Sequence, residues 1–213
     1  MQKSVYSIVL SDDVVSAIDR LAYTKCTSRS NMINQILAEY VSYVTPEKRL
    51  SDIFTRMAAT IDSVDQLQVM LGASDTMMSI KSALSYKYNP TVRYSVELYK
   101  SDPALGELRI SLRTQSAGLI ALMNDFYARW DQVEREQLSR EVRSSVRDGK
   151  YARLLDKPEN ADGDALADAL VAYVETMDSA MKGYFSDRRN GVEPTARIRA
   201  YYQQYESKSP VLL

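Results

Sequence analysis

The N-terminal stretch reads Ser4-Val5-Tyr6-Ser7-Ile8-Val9-Leu10 and then Ser11-Asp12-Asp13. The β-branched and aromatic residues of the first part are typical of a strand, whereas a serine followed by two aspartates is typical of a helix start. The sequence therefore predicts a short strand, residues 4–10, that leads directly into a helix.

Two amphipathic helices are predicted after this strand. Each has apolar residues at three- and four-residue spacing, and so one face to bury. The turn between them contains Cys26, Thr27 and Ser28, and Ser28 is suited to cap the second helix. The apolar positions are Val14, Val15, Ile18, Leu21 and Ala22 in the first helix, and Met32, Ile33, Ile36, Leu37, Tyr40 and Val41 in the second.

One strand and two short helices cannot enclose a core alone, because chains below roughly 40 residues usually need a metal, disulfides or a partner to fold. A homodimer whose strands pair antiparallel would supply the partner. Alternation along the strand then divides it into an inward and an outward set of side chains. The predicted dimer core is Tyr6, Ile8, Leu10, Ile33, Ile36 and Leu37, and the outward set is Val5, Ser7 and Val9.

In the order and spacing of these elements, residues 4–41 resemble the ribbon-helix-helix DNA-binding superfamily of Arc, MetJ and CopG type. The resemblance rests on Ile8-Val9-Leu10-Ser11-Asp12-Asp13-Val14-Val15, on Ile18-Asp19-Arg20-Leu21-Ala22 and on Thr27-Ser28-Arg29-Ser30-Asn31-Met32-Ile33. It implies a two-stranded ribbon in the major groove and a phosphate held at the start of the second helix. The implied DNA-binding residues are Lys3, Val5, Ser7 and Val9 on or beside the ribbon, and Thr27, Ser28 and Arg29 at the helix start.

The resemblance also bears on the turn between the helices. Cys26 stands where the superfamily commonly has glycine, a position that often needs a positive φ. A strained turn is therefore expected at Cys26.

Charge and composition exclude several function classes. The chain has 27 basic and 28 acidic residues, a net charge of −1 and no histidine. The absence of histidine removes Ser-His and Cys-His nucleophile pairs and the usual zinc and nickel sites. Seven glycines form no phosphate-binding motif. We therefore expect no enzyme, no catalytic residue, no metal and no cofactor.

Two further absences concern location. No signal-peptide pattern and no apolar run of about 20 residues is present, so a cytoplasmic protein without a membrane partner is expected.

The rest of the chain predicts a second domain. Thr45-Pro46 is a helix-start signal and separates a module, residues 1–45, from residues 46–213. In the second part we predict a connecting helix up to Gly72, two or three antiparallel strands within residues 80–112, a helix from Leu119 to Val146, a linker over residues 148–163 and two final helices. Glu97 is predicted to lie opposite Arg109 across a hairpin. The expected fold class is mainly α with a small sheet, α+β overall.

The sequence thus favours a repressor-like transcriptional regulator that binds double-stranded DNA as a homodimer or higher oligomer. Its C-terminal domain would sense a small-molecule effector or mediate assembly. The chain has 15 tyrosines, which suit ligand pockets and interfaces, although a place at the rim of the core with hydroxyls in water is the simpler interpretation. Two alternatives stay open: an antitoxin, and a DNA-organising protein of plasmid partition or conjugation type.

Overall fold

The computed structural model describes residues 5–70, 74–100, 103–138, 141–158, 161–209, 211 and 213. The chain divides into two compact units, Met1–Arg49 and Leu50–Leu213. The sequence placed this boundary at 45/46.

The first unit is a pair of helices, α1 (Asp12–Thr24) and α2 (Arg29–Tyr40). Its core consists of three buried side chains, those of Ile18, Ala22 and Met32, with Ile33 packed against them. So small a core leaves most of the apolar faces of both helices uncovered.

The predicted ribbon-helix-helix fold is wrong for this structure. Residues 5–10 form no strand, and α1 begins directly after them. A strand is defined by its pairing with another strand, and β propensity alone supplies no partner within the first unit. Ser4, the predicted strand start, lies outside the described residues, as does Lys3.

The second unit contains one six-stranded antiparallel sheet in the order β1-β2-β3-β4-β6-β5. The prediction of a small sheet of two or three strands is therefore wrong. The strands are β1 (Gln68–Met70), β2 (Met77–Ala83), β3 (Thr91–Leu98), β4 (Ala104–Leu112), β5 (Ser144–Arg147) and β6 (Lys150–Asp156).

One face of the sheet belongs to the main core. Val92, Tyr94 and Val96 of β3 are buried there, whereas Thr91 and Arg93 on the opposite face are exposed. Helical residues complete the same core. The helices are α3 (Pro46–Ile61), which begins in the first unit, α4 (Ala117–Gln137), α5 (Gly163–Arg189) and α6 (Thr195–Lys208).

Two predicted helices end earlier than expected. The connecting helix ends at Ile61, and its expected end, Gly72, lies outside the described residues. The helix expected to reach Val146 ends at Gln137, and residues 144–156 form a hairpin whose turn residues Asp148 and Gly149 have φ values of 51° and 72°. Such paired positive φ angles are typical of the two-residue turns that join antiparallel strands.

The predicted register of the β3–β4 hairpin is also wrong. Glu97 lies opposite Glu107, and Arg109 lies opposite Ser95. The long side chain of Arg109 still reaches Glu97 diagonally, with its Nη1 atom 3.0 Å from Oε2.

A buried ion pair lies within the core of the second unit. Arg153 of β6 donates from Nε to Oε2 of Glu134 at 3.0 Å, and both side chains are almost fully buried. The Tyr173 hydroxyl donates to the same carboxylate at 2.9 Å and accepts from the Trp130 indole at 3.0 Å. Burial raises the pKa of Glu134, and Arg153 opposes that rise. The charged residues around Glu134 in the sequence are typical of a solvated helix face, but the structure buries Glu134.

Two tyrosine hydroxyls of this unit form hydrogen bonds with carboxylates. Tyr94 donates to Asp178 at 2.9 Å, and Tyr184 donates to Asp125 at 2.7 Å. Burial raises the pKa of Tyr94. A buried polar group is tolerated when it is hydrogen-bonded, so these tyrosines serve the core.

Candidate DNA-binding and dimerisation surface

Exposed apolar side chains are concentrated in the first unit. Of the eighteen large apolar side chains that are exposed among the described residues, fourteen lie between residues 5 and 44. They are Val5, Tyr6, Ile8, Val9, Leu10, Val14, Leu21, Tyr23, Ile36, Leu37, Tyr40, Val41, Tyr43 and Val44. We call this set the N-terminal apolar surface. A surface of this density marks an interaction site more often than an ordinary exterior.

Most of the predicted dimer core belongs to this surface. Ile8 and Leu37 are each more than half exposed, and Leu10 and Ile36 lie just above one third. Tyr6 is also exposed, at 84%. Ile33 alone of the six is half-buried, against the small core of the unit. The single chain therefore leaves this predicted core largely open to solvent.

The predicted ribbon residues are equally accessible. Val5 and Val9 are about fully exposed, at 99% and 100%, and Ser7 between them is exposed as well. Lys3, the fourth residue of this group, lies outside the described residues.

The start of α2 is capped within the chain. The Ser28 Oγ atom accepts a hydrogen bond from the backbone N–H of Asn31 at 3.2 Å, as the sequence predicted for an N-cap. Thr27 Oγ1 accepts from the Asn31 side-chain amide at 2.7 Å. Cys26 before them has a φ of 49°, in agreement with the positive value that the resemblance implied.

Arg29 forms a two-point ion pair with Asp19 of α1. Its Nε atom donates to Oδ1 at 2.7 Å, and its Nη2 atom donates to Oδ2 at 2.6 Å. The hydrogen bond from Arg29 lowers the pKa of the Asp19 carboxyl, and the same bond raises the pKa of Arg29. Both side chains are about half exposed, so this ion pair links α1 to α2 while both charges stay in contact with water.

Charge is balanced over residues 5–49 of the first unit. Residues 5–49 contain the cations Arg20, Lys25, Arg29, Lys48 and Arg49 against five carboxylates. Those carboxylates are Asp12, Asp13, Asp19, Glu39 and Glu47. Lys25 and Arg29 flank Thr27 and Ser28 in the turn, so the group combines the cations and hydroxyls that contact phosphate in DNA complexes.

Two shallow depressions lie among the described residues of the second unit. The larger is a surface groove of about 530 Å³ beside β5 and β6, lined among others by Glu107, Arg135 and Arg143. A smaller depression of about 170 Å³ lies beside Asp178. Neither Glu134 nor Arg153 lines either of these two depressions. Over the same described residues, no group of three or more acidic, cysteine or histidine side chains is placed to hold a metal ion.

Sequence reasoning missed Asp19 as a neighbour of Arg29. The two residues are ten positions apart and on different helices, so no local pattern connects them. Within the described part of the chain, no helix is long and apolar enough to cross a membrane.

No protein-family model matches this chain, and no curated protein or solved structure is significantly similar to it.

Proposed function

We propose that this chain is a homodimeric DNA-binding protein whose first unit both dimerises and contacts DNA. The observation that carries the proposal is the N-terminal apolar surface on a unit whose core cluster consists of three buried side chains. Apolar area removed from water contributes roughly 25 cal/mol per Å², so covering this surface would stabilise a unit that has little core of its own.

A second copy of the same unit is the partner that fits best. The second unit exposes four large apolar side chains among the described residues, Met77, Tyr88, Val146 and Val192, and they are far apart in sequence. It therefore offers no comparable apolar surface. The balanced charge of residues 5–49 lets two first units approach without net repulsion.

DNA is proposed as the ligand because of the turn between α1 and α2. The sequence resemblance assigns Thr27, Ser28 and Arg29 to a DNA phosphate. The first turn of a helix has backbone N–H groups without intrahelical acceptors, and Arg29 and Ser30 occupy it in an exposed position. Such a dimer bound over a promoter would act as a repressor, and it would work in the cytoplasm.

The ion pair between Arg29 and Asp19 gives this proposal a sharp test. Asp19 competes with a phosphate for the Arg29 guanidinium, so Asp19→Asn should strengthen binding to duplex DNA, whereas Arg29→Ala should weaken it. Arg29→Ala should also reduce the slope of log affinity against log salt by about one per chain. Fluorescence anisotropy of a labelled duplex, titrated with the full chain at several salt concentrations, measures both effects.

Glu39→Gln is the matched control for Asp19→Asn. It removes one negative charge from the same unit at an exposed position of α2. A larger gain for Asp19→Asn than for Glu39→Gln supports a phosphate contact by Arg29. Asp19→Asn could instead weaken binding as much as Arg29→Ala, with a lower melting temperature for both variants. In that case the ion pair only stabilises the packing of the two helices, and Arg29 does not contact a phosphate.

A further inference from the structure

The sheet of the second unit has a face that the core does not cover. Along β3 the residues that alternate with the buried ones are Thr91, Arg93, Ser95 and Glu97, and they are exposed or half-buried. We call this side the open face. Its side chains are mostly charged or small and hydroxylated, including Ser79 of β2 and Ser111 of β4.

A row of cations crosses one end of the open face. Lys81 of β2 lies directly opposite Arg93 of β3, and Arg147 of β5 lies directly opposite Lys150 of β6. Lys150 shares the open face because its neighbour Tyr151 is buried on the other side. All four side chains are exposed. We call Lys81, Arg93, Lys150 and Arg147 the basic row.

Like charges directly opposite each other on neighbouring strands destabilise a sheet, so the arrangement needs an explanation. A second pair of like charges lies elsewhere on the open face. Glu97 and Glu107 are also directly opposite, and Arg109 joins both, at 3.0 Å and 2.6 Å. The acidic pair therefore has its counterion within the chain.

The basic row lacks a comparable counterion among the described residues. Lys81, Arg93 and Lys150 form no ion pair there. Arg147 contacts only its neighbour Asp148 at 3.3 Å, in a pair whose side chains are 90% and 78% exposed. Exposed pairs of this kind contribute little, so the row retains most of its positive charge.

Additional cations lie at the same end of the sheet. Lys87 is in the turn from β2 to β3, which begins and ends at the pair Ala83 and Thr91, and Arg113 directly follows β4. Both are exposed. The Lys87 ammonium lies 5.2 Å from the ring centre of Tyr88. The whole end of the sheet is thus basic, although the chain as a whole has a net charge of −1.

We propose that the basic row binds the phosphate backbone of double-stranded DNA. Lysine, arginine and serine side chains are among the groups that contact DNA phosphates, and the row combines its cations with Ser111, which lies opposite Arg93. Strands lie about 4.8 Å apart, so the row spans roughly 19 Å from β2 to β5, a length over which a duplex presents several phosphates.

Duplex DNA fits better than the other polyanions. The row contains no large aliphatic side chain that could anchor a protein partner or enter a lipid surface. Single-stranded nucleic acid is bound largely by stacking of bases on aromatic rings. Tyr94 and Tyr151 of this sheet are buried in the core, whereas Tyr88, in the turn beside Lys87, is a single strongly exposed ring at this end. One exposed ring offers little stacking along a strand, so the row suits contacts to the backbone of a duplex better than binding of a single strand.

This proposal is independent of the DNA contact assigned to the first unit. The test uses the full chain with the double variant Lys81→Gln and Arg93→Gln. The control is Lys157→Gln with Lys208→Gln, which removes the same charge from exposed positions outside the row. Each protein is titrated into a labelled duplex and into a labelled single strand, over several salt concentrations, beside vesicles of anionic lipid.

The row variant is expected to lower duplex affinity about tenfold or more at moderate salt and to reduce the salt slope by about two per chain. The control should change both much less. The melting temperature of the row variant should not fall, since a like-charge pair is removed. That readout separates a loss of binding from a loss of folding.

Equal duplex binding by the row variant, its control and the unaltered chain would overturn the proposal, and so would an effect confined to the single strand or to vesicles. Failure of this proposal can be distinguished from failure of the DNA contact proposed for the first unit. If Arg29→Ala weakens duplex binding and the row variant does not, this inference fails while the proposed function stands. The reverse result would place the DNA contact on the sheet instead.

Discussion

Glu134→Ala is expected to lower the free energy of unfolding by about 3–5 kcal/mol, because it leaves the buried guanidinium of Arg153 without its carboxylate. Both side chains of the pair are at most 1% exposed, so water cannot replace the lost partner. The Tyr173 hydroxyl would lose its acceptor on Glu134 as well. This hydroxyl in turn accepts the hydrogen bond of the Trp130 indole. Urea unfolding followed by tryptophan fluorescence measures the change, since Trp130 is the single tryptophan of the chain.

Glu136→Ala is the control for this prediction. Glu136 lies two residues further along α4 and forms an ion pair with Arg199 in which both side chains are partly exposed. Exposed pairs are worth about 0–1 kcal/mol, so the control should unfold nearly as the unaltered chain does. Similar losses for both variants would show that the buried network contributes no more than a surface pair.

Leu37→Asp is expected to raise the dissociation constant of the homodimer about 100-fold or more. In the single chain Leu37 is 55% exposed, so aspartate there should cost the monomer little. In a dimer joined through the N-terminal apolar surface the same carboxylate would be buried, at a cost of several kcal/mol, and each 1.4 kcal/mol or so is a factor of ten. Sedimentation velocity over a range of protein concentrations measures this.

Val192→Asp is the matched control for the dimer. Val192 is 51% exposed and belongs to the second unit, so the same change of side chain is made at nearly the same exposure. Self-association should be unaffected. A Leu37→Asp variant that associates as the unaltered chain does would remove the N-terminal apolar surface from the interface.

Local signals in the sequence were sufficient for the helices of the first unit. The run Ser11-Asp12-Asp13 predicts the start of α1, and Ser28 predicts the cap of α2. The Ser28 cap depends on a hydrogen bond from Asn31, and Asp12 and Asp13 stabilise the first turn of α1 through its positive helix end, so neighbours in sequence decide both. The strand at residues 4–10 could not be decided in this way, because strand formation requires a distant partner that no local pattern supplies.

The hairpin of β5 and β6 had a usable signal that was misinterpreted. Val142 and Val146 continue the four-residue spacing of α4, and this periodicity favoured a longer helix. Asp148-Gly149 is nevertheless among the strongest short signals for a hairpin turn, and the alternation of Tyr151, Arg153 and Leu155 follows it. Arg153 interrupts the apolar pattern at its centre because its charge is matched by Glu134 on α4, 19 residues away.

The candidate sites depend on pairings across the fold and were only partly predictable. The sequence identified the helical part of the N-terminal apolar surface, since helical periodicity reveals which residues share a face. It could not reveal that Arg29 bonds Asp19, or that Lys81 lies opposite Arg93. Helix packing and strand register decide those contacts, and the predicted register of Glu97 was itself displaced by two residues.

Sedimentation of the full chain with a short labelled duplex at low salt tests directly whether this protein is a homodimer that binds duplex DNA through its first unit. We expect the free chain to sediment at twice its mass of 24.1 kDa, and the DNA to shift with two chains per duplex. Leu37→Asp should reduce both the dimer and the shift, and Val192→Asp neither. A chain that stays monomeric and leaves the duplex unshifted at every concentration would rule out a homodimer that binds DNA through its first unit.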